Sequence, residues 1–315
     1  MFNVFKRKEK IKSVTYYSDI LDKENGHKNV TNNTMKNTSS ILHLSIINNP
    51  FKTKIEDFDI TEIQSGREPS IICIDGFLTE GCKSPEKDWE QINKLYPYNA
   101  IYHIKWESER LRSLAIKATS SSFIFKRAAL AGGVALFGAV VSGFTPLIAT
   151  TLTPVLHSWS VACKKAELSG EFLAEIIQHT NKEYILIGHS LGSRVIHSCL
   201  SSLKMNNHSF IKDVHLLGGA VDNHKVRKKG KLSKTNWTGI SNVVSGEINN
   251  YHSENDDILK YFYTAAEGLK FNFGEPIGRS EINISGIKNI NASKKSGLNI
   301  GHMEYKENLG TILRC

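Results

Sequence analysis

The feature that most constrains this chain is the segment Tyr184-Ile-Leu-Ile-Gly-His-Ser-Leu-Gly-Ser-Arg-Val-Ile-His-Ser-Cys-Leu200. A short apolar run stops at Gly188-x-Ser190-x-Gly192, and an amphipathic stretch continues from Leu191 to Leu203. The run suits a strand buried on both faces, and the stretch suits a helix. A turn from one directly into the other is so tight that only glycines flanking the serine avoid a clash, which leaves Ser190 at the apex. The bare pattern is common and also fits an ordinary strand–helix turn with an incidental serine; the strand before it and the helix after it give it weight.

The same rhythm recurs along the chain. Continuous apolar runs at Ser70–Ile74, Ala100–Ile104, Tyr184–Ile187, Asp213–Leu217 and Ile287–Ala292 suit buried strands. Helix-like stretches lie at Trp89–Tyr96, Trp159–Ile177, Leu191–Leu203 and Ile258–Ala266. Strand alternating with helix predicts an α/β fold, a mostly parallel sheet with helices on both faces. Before these, Ile41–Asn48 and Ile55–Ile63 alternate apolar with polar residues and are expected to form an antiparallel edge pair. No repeat at solenoid periods and no heptad seam is present. The polar residues 1–38 predict a flexible N-terminal segment, and 39–315 a single catalytic domain.

A serine hydroxyl becomes a useful nucleophile only when a base removes its proton, and that base needs a carboxylate to orient it. After the apex serine the expected chain order is acid, then histidine. His302, in Ile300-Gly-His-Met-Glu-Tyr305, follows the last apolar run and precedes a helical stretch from Lys306 to Leu313, so it is the favoured base; a surface histidine in a terminal loop would look similar. His252 and His224 are weaker rivals. Asp256, at the end of a strand-like run from Val243 to His252, is the favoured acid. Asp257 is its close alternative and Asp222, after the preceding strand, a topological variant. Either member of the Asp256/Asp257 pair would serve equally as a helix N-cap. Stabilising an oxyanion takes two backbone N–H donors: Leu191, next to the nucleophile, and Phe77, after the strand that ends in Ile74-Asp-Gly-Phe77. Many lipases carry histidine before that glycine, whereas this chain carries Asp75. Such chemistry needs no metal or organic cofactor.

With these pieces placed, the chain resembles one α/β-hydrolase lineage, the transmembrane and coiled-coil domain proteins of domain of unknown function 726. The likeness rests on Ile74-Asp-Gly-Phe-Leu78, Tyr102-His-Ile-Lys-Trp-Glu107, Leu186–Ile196, Val243-Val-Ser-Gly246 leading into Tyr251–Leu259, and Gly301-His-x-x-Tyr305, and it spans roughly residues 70–310. It implies the α/β-hydrolase fold and the Ser190, Asp256, His302 assignment, with lipid-active hydrolases as the suspected activity. An obvious coiled coil is missing here.

Substrate class must come from elsewhere in the chain. Ala128–Leu156 is an uncharged stretch of 29 residues, preceded by Lys126-Arg127 and long enough to span a bilayer. A single crossing would split the sheet, since strands lie on both sides of it. The expectation is therefore an apolar helical insert over 123–157, either a cap on the core or a hairpin in contact with a membrane. Lys+Arg exceed Asp+Glu by 40 to 31, a formal net charge of +9, which favours an anionic membrane surface as partner. The run Lys225–Lys234 holds six basic residues, although such runs are commonly solvated loops. Nucleic acid is not expected, because no reading motif accompanies the basic residues. The five scattered cysteines form no C-x-x-C pair and read as reduced thiols. The N-terminus lacks the apolar core of a signal peptide, so a cytoplasmic protein, peripheral or hairpin-anchored at a membrane, is expected. The resulting expectation is a serine carboxylic ester hydrolase acting on membrane lipids. The alternatives are a soluble small-molecule esterase or thioesterase, and a catalytically inactive membrane-inserting or scaffold protein.

Overall fold

The computed structural model describes residues 58–76, 85–106, 146–180, 182–203, 210–223, 237–263 and 275–313. All of them belong to the unit Ile41–Cys315. Seven strands form one sheet: β1 (Asp59–Gln64), β2 (Arg67–Ile74), β3 (Asn99–Lys105), β4 (Tyr184–His189), β5 (Ile211–Leu217), β6 (Ile248–His252) and β7 (Ile287–Asn291). Their order is β1-β3-β2-β4-β5-β6-β7. Only β1 runs antiparallel, against β3, with Ile60 opposite Ile104; every other pairing is parallel. The structure thus has the expected α/β arrangement, a mostly parallel sheet with helices on both faces.

Period-two alternation assigns the two faces of the sheet. On β2, Ile72 and Ile74 point into one core with Leu186, Val214 and Ile248, while Ile71 and Cys73 point into the other with Ile185, Ile187 and Leu217. The helix α3 (Pro146–Thr180) links β3 to β4, and α4 (Leu191–Ser202) links β4 to β5; both cover the first face through Phe172, Leu173, Val195 and Ile196. Gly170 lets them approach, because a Cβ there would collide with the Val195 carbonyl. The second face is covered by α1 (Pro85–Asp88) and α2 (Glu90–Leu95), between β2 and β3, together with α6 (Ala292–Ser296), α7 (Glu304–Glu307) and α8 (Leu309–Ile312) from the C-terminal end. A further short helix, α5 (Trp237–Ile240), buries Trp237 against the edge of His197. Each such apolar side chain taken fully from water contributes about 1.5–3 kcal/mol.

Several expectations need correction. Among the described residues β1 pairs with β3, and residues 41–48, its expected partner, lie outside them. The run read as one strand from Val243 is a 3₁₀ turn, Ser241–Val243, and the strand starts at Ile248; Gly246 brings the backbone against Lys212 and bends the chain between them. The stretch from Ile258 is described only as a π-helical turn, Leu259–Tyr263, and the terminal helix is two short ones broken at Asn308. The apolar insert over 123–157 is not supported: its described part belongs to α3, and among the described residues no helix is long and apolar enough to cross a membrane. Residues 107–145, like the basic run from Lys225, lie outside the described residues.

Topology also places the working end of the sheet. From β2 the chain steps to β3 on one side, while from β4 it proceeds outward to β5, β6 and β7 on the other. The strand order therefore reverses between β2 and β4. Open α/β sheets bind ligands at such a point, outside the carboxyl ends of the strands. Ser190 follows directly on β4 there, and Asp75-Gly76 directly on β2.

Candidate active site

Ser190 sits at φ 56° and ψ −118°, the only positive φ among the described non-glycine residues. Such backbone strain costs about 1–3 kcal/mol and persists only where neighbours over-determine it. Here the Ser190 N–H donates to the Leu217 carbonyl on β5, and the Ser190 carbonyl accepts from the N–H groups of Ser193 and Ala220. The two elbow glycines are explained by close approach: a Cβ on Gly188 would stand 2.7 Å from the Gly192 backbone, and one on Gly192 would strike the Ile74 carbonyl. Gly76 is equally constrained, because a Cβ there would lie 2.5 Å from that of Ser190.

His302, 112 residues on, reaches Ser190 from the loop between α6 and α7. Its Nε2 lies 2.8 Å from Ser190 Oγ and its Nδ1 lies 2.7 Å from Asp256 Oδ2. Beside a carboxylate Nδ1 carries the proton, so Nε2 is bare and accepts from the serine hydroxyl. All three side chains are buried. Asp256 uses its two oxygens separately: Oδ2 meets His302, while Oδ1 accepts the Leu259 N–H at 2.8 Å as a helix cap. The Asp256 carbonyl is held by Arg279 Nη1 at 2.7 Å.

The alternatives separate cleanly. Asp257 is exposed. The Asp222 carboxylate is engaged by Tyr263 Oη at 2.5 Å. His252 ends β6 and is buried, and the ring that meets Ser190 Oγ is that of His302. His224 and Phe77 lie outside the described residues. Leu191 opens α4, so its N–H belongs to the first-turn donors that lack an intrahelical acceptor. Among the described residues no group of three or more His, Cys, Asp or Glu is placed to hold a metal ion. Cys73, Cys163 and Cys199 are buried free thiols.

Sequence reasoning missed His189, the x of the first Gly-x-Ser. Its Nε2 lies 2.7 Å from the His302 carbonyl, which can only accept, so Nε2 carries the proton; the two rings lie 4.9 Å apart. Burial, then the neighbouring His302 and Lys306, push its pKa well below the usual 6.5, so it stays neutral and holds the His302 backbone as a donor. The signal was its place in the motif, but nothing local announced the partner.

Burial likewise lowers His197 to about 3 and His215 to about 4. An unfolded histidine binds a proton near 6.5, and these three rings do not while folded. Below that pH the unfolded state takes up protons the folded state refuses, so stability falls as the pH falls, by about 1.4 kcal/mol per pH unit per ring. Melting temperatures taken from pH 7.5 down to pH 5 are expected to drop steadily; a flat profile would contradict neutral burial of these rings.

Comparison with known proteins now adds a decisive fact. The sequence profile of the family described as Protein of unknown function (DUF726) matches residues 35–315. This chain belongs to the DUF726 family. The DUF726 chain is 30% identical over 276 residues to an uncharacterized membrane protein of Schizosaccharomyces pombe, covering 83% of this chain and 33% of that one. It is 28% identical to an uncharacterized membrane protein of Caenorhabditis elegans, over 83% of this chain and 42% of that one. It is 31% identical to a probable lipase of Saccharomyces cerevisiae, over 68% of this chain and 19% of that one. The chain thus spans at most about two fifths of the length of these relatives. Among solved structures, a poly(3-hydroxybutyrate) depolymerase from Bordetella parapertussis aligns over 81% of this chain and 82% of its own, with 12% identity and a TM-score of 0.37.

Proposed function

We propose that this DUF726 protein is a serine ester hydrolase whose substrates are membrane lipids. The observation that carries the reading is the continuous line from Asp256 through His302 to Ser190, with hydrogen-bond distances of 2.7 and 2.8 Å and the serine on a strained elbow. In this reading Ser190 Oγ attacks the ester carbonyl while His302 Nε2 takes its proton. Asp256 holds the ring in the Nδ1–H tautomer and stabilises the imidazolium. The N–H groups of Leu191 and Phe77 hold the oxyanion, and His302 passes its proton to the departing alkoxide. Water, deprotonated by the same histidine, then releases the acyl group from Ser190.

Lipid as the substrate class is supported by the net charge of +9 and by relatives that are named membrane proteins and a probable lipase. The test is fatty-acid release from mixed anionic and zwitterionic vesicles, run beside a soluble short-chain ester, with Ser190→Ala defining the background. Release from vesicles by the wild type alone is the expected result. Hydrolysis of the soluble ester only would mark a small-molecule esterase, and activity on neither by folded protein would mark a membrane scaffold.

A further inference from the structure

Beneath the elbow lies a buried charge cluster that the hydrolytic steps above do not use. Asp75, the residue between β2 and Gly76, is 7% exposed, and Lys306, four residues after His302, is 9% exposed. The Lys306 ammonium donates to Asp75 Oδ1 and also lies 3.3 Å from Asp88 Oδ2 on α1 and 4.9 Å from the centre of the Trp89 ring. Asp75 is held from β3 as well: its Oδ2 lies 2.8 Å from His103 Nε2, and its carbonyl accepts the Trp106 indole N–H at 2.8 Å.

We infer that Asp75 and Lys306 are positioning residues: their ion pair locks the end of β2 against Ser190 and holds the His302 segment in register with it. The inference rests on the reading of Ser190 and His302 as nucleophile and base. The pair joins two parts of the site separated by 231 residues. One is the Asp75-Gly76 corner, packed so close to the nucleophile that a Cβ on Gly76 would lie 2.5 Å from that of Ser190. The other is α7, whose first turn follows His302. A buried ion pair is a poor device for stability alone, since an apolar pair of the same volume packs as well or better. It is a good device for geometry, because charge-assisted hydrogen bonds fix distance and direction together. The His103 and Trp106 contacts prevent Asp75 from following Lys306 elsewhere, so the clamp has one setting. Burial favours the neutral acid, but the hydrogen bond from His103 and the Lys306 charge overcome it and hold the Asp75 pKa far below the usual carboxylate range, which favours the ionised carboxylate.

The experiment compares wild type, Asp75→Asn, Lys306→Met, the double variant and Asp88→Asn. It reads kcat and KM on a soluble short-chain ester, the rate of Ser190 phosphonylation by a fluorophosphonate, and the melting temperature. The double variant leaves no unpaired buried charge and is expected to fold. Each single variant and the double are expected to lose about 10- to 100-fold in kcat and in phosphonylation, with KM little changed and the double no worse than the poorer single. Asp88→Asn, which removes the second carboxylate without touching the corner, is expected to stay within about threefold of wild type. Wild-type rates in the folded double variant would overturn the clamp, and so would a double variant unable to fold, because the pair would then be a structural tie. A wild type that neither turns over ester nor accepts the phosphonate would instead sink the hydrolase reading on which the clamp depends.

Discussion

Replacing Ser190 by alanine is expected to lower ester turnover about 10⁶-fold while leaving the fold intact. The size follows from the roles: without Oγ there is no atom for His302 to activate and no acyl-enzyme, so only the oxyanion donors and substrate binding are left. The mildness toward stability follows from the geometry. Alanine inherits the same φ of 56° and the same backbone hydrogen bonds to Leu217, Ser193 and Ala220, and loses one side-chain bond to His302. Ser190→Gly makes the contrast sharp. It is expected to be as inactive as Ser190→Ala, yet no less stable, because glycine adopts this conformation without a Cβ penalty. Steady-state turnover and melting curves of the two variants check this, and either one retaining more than a trace of activity would remove Ser190 from the reaction.

Asp256→Asn is expected to lower kcat about 10⁴-fold with almost no change in stability. Asp256 Oδ1 caps the Leu259 N–H, and an asparagine keeps that bond with its carbonyl oxygen. Its amide NH₂ then faces His302 Nδ1 in place of Oδ2. A donor there requires Nδ1 to be bare, which moves the ring proton to Nε2, pointing at Ser190 Oγ, and a protonated Nε2 cannot take the serine proton. Asp256→Ala also loses the cap and is expected to be less stable by about 1 kcal/mol as well as inactive. Kinetics beside calorimetry distinguish the two; an active Asp256→Asn enzyme would mean that another group orients His302.

The elbow could be recognised along the chain because everything it needs is local. Strand, glycine, serine, glycine and helix follow one another within 17 residues, and each glycine is required by atoms a few positions away or on the neighbouring strand. Continuous apolar runs marked the parallel strands for a similar reason, as burial on both faces leaves its imprint on consecutive residues. Boundaries were less visible where backbone rather than side chains decides them, as at Gly246 before β6 or Asn308 between α7 and α8.

The choice among acids could not be made along the chain. Asp256 and Asp257 are adjacent and alike, and what separates them is that one side chain turns inward to His302 and the other outward to water. Asp222 stands at a suitable strand end, but Tyr263 engages it. His189 and the His302 carbonyl meet across 113 residues, and Lys306 meets Asp75 across 231. By itself the sequence determined the strand–helix alternation and the serine at its tightest turn, because those depend on periodicity and on the steric needs of neighbouring residues. Only the tertiary structure decided which carboxylate and which histidine converge on that serine, and which lysine meets Asp75 beside it, because such partners are selected by direction and burial in three dimensions, for which linear spacing carries no code.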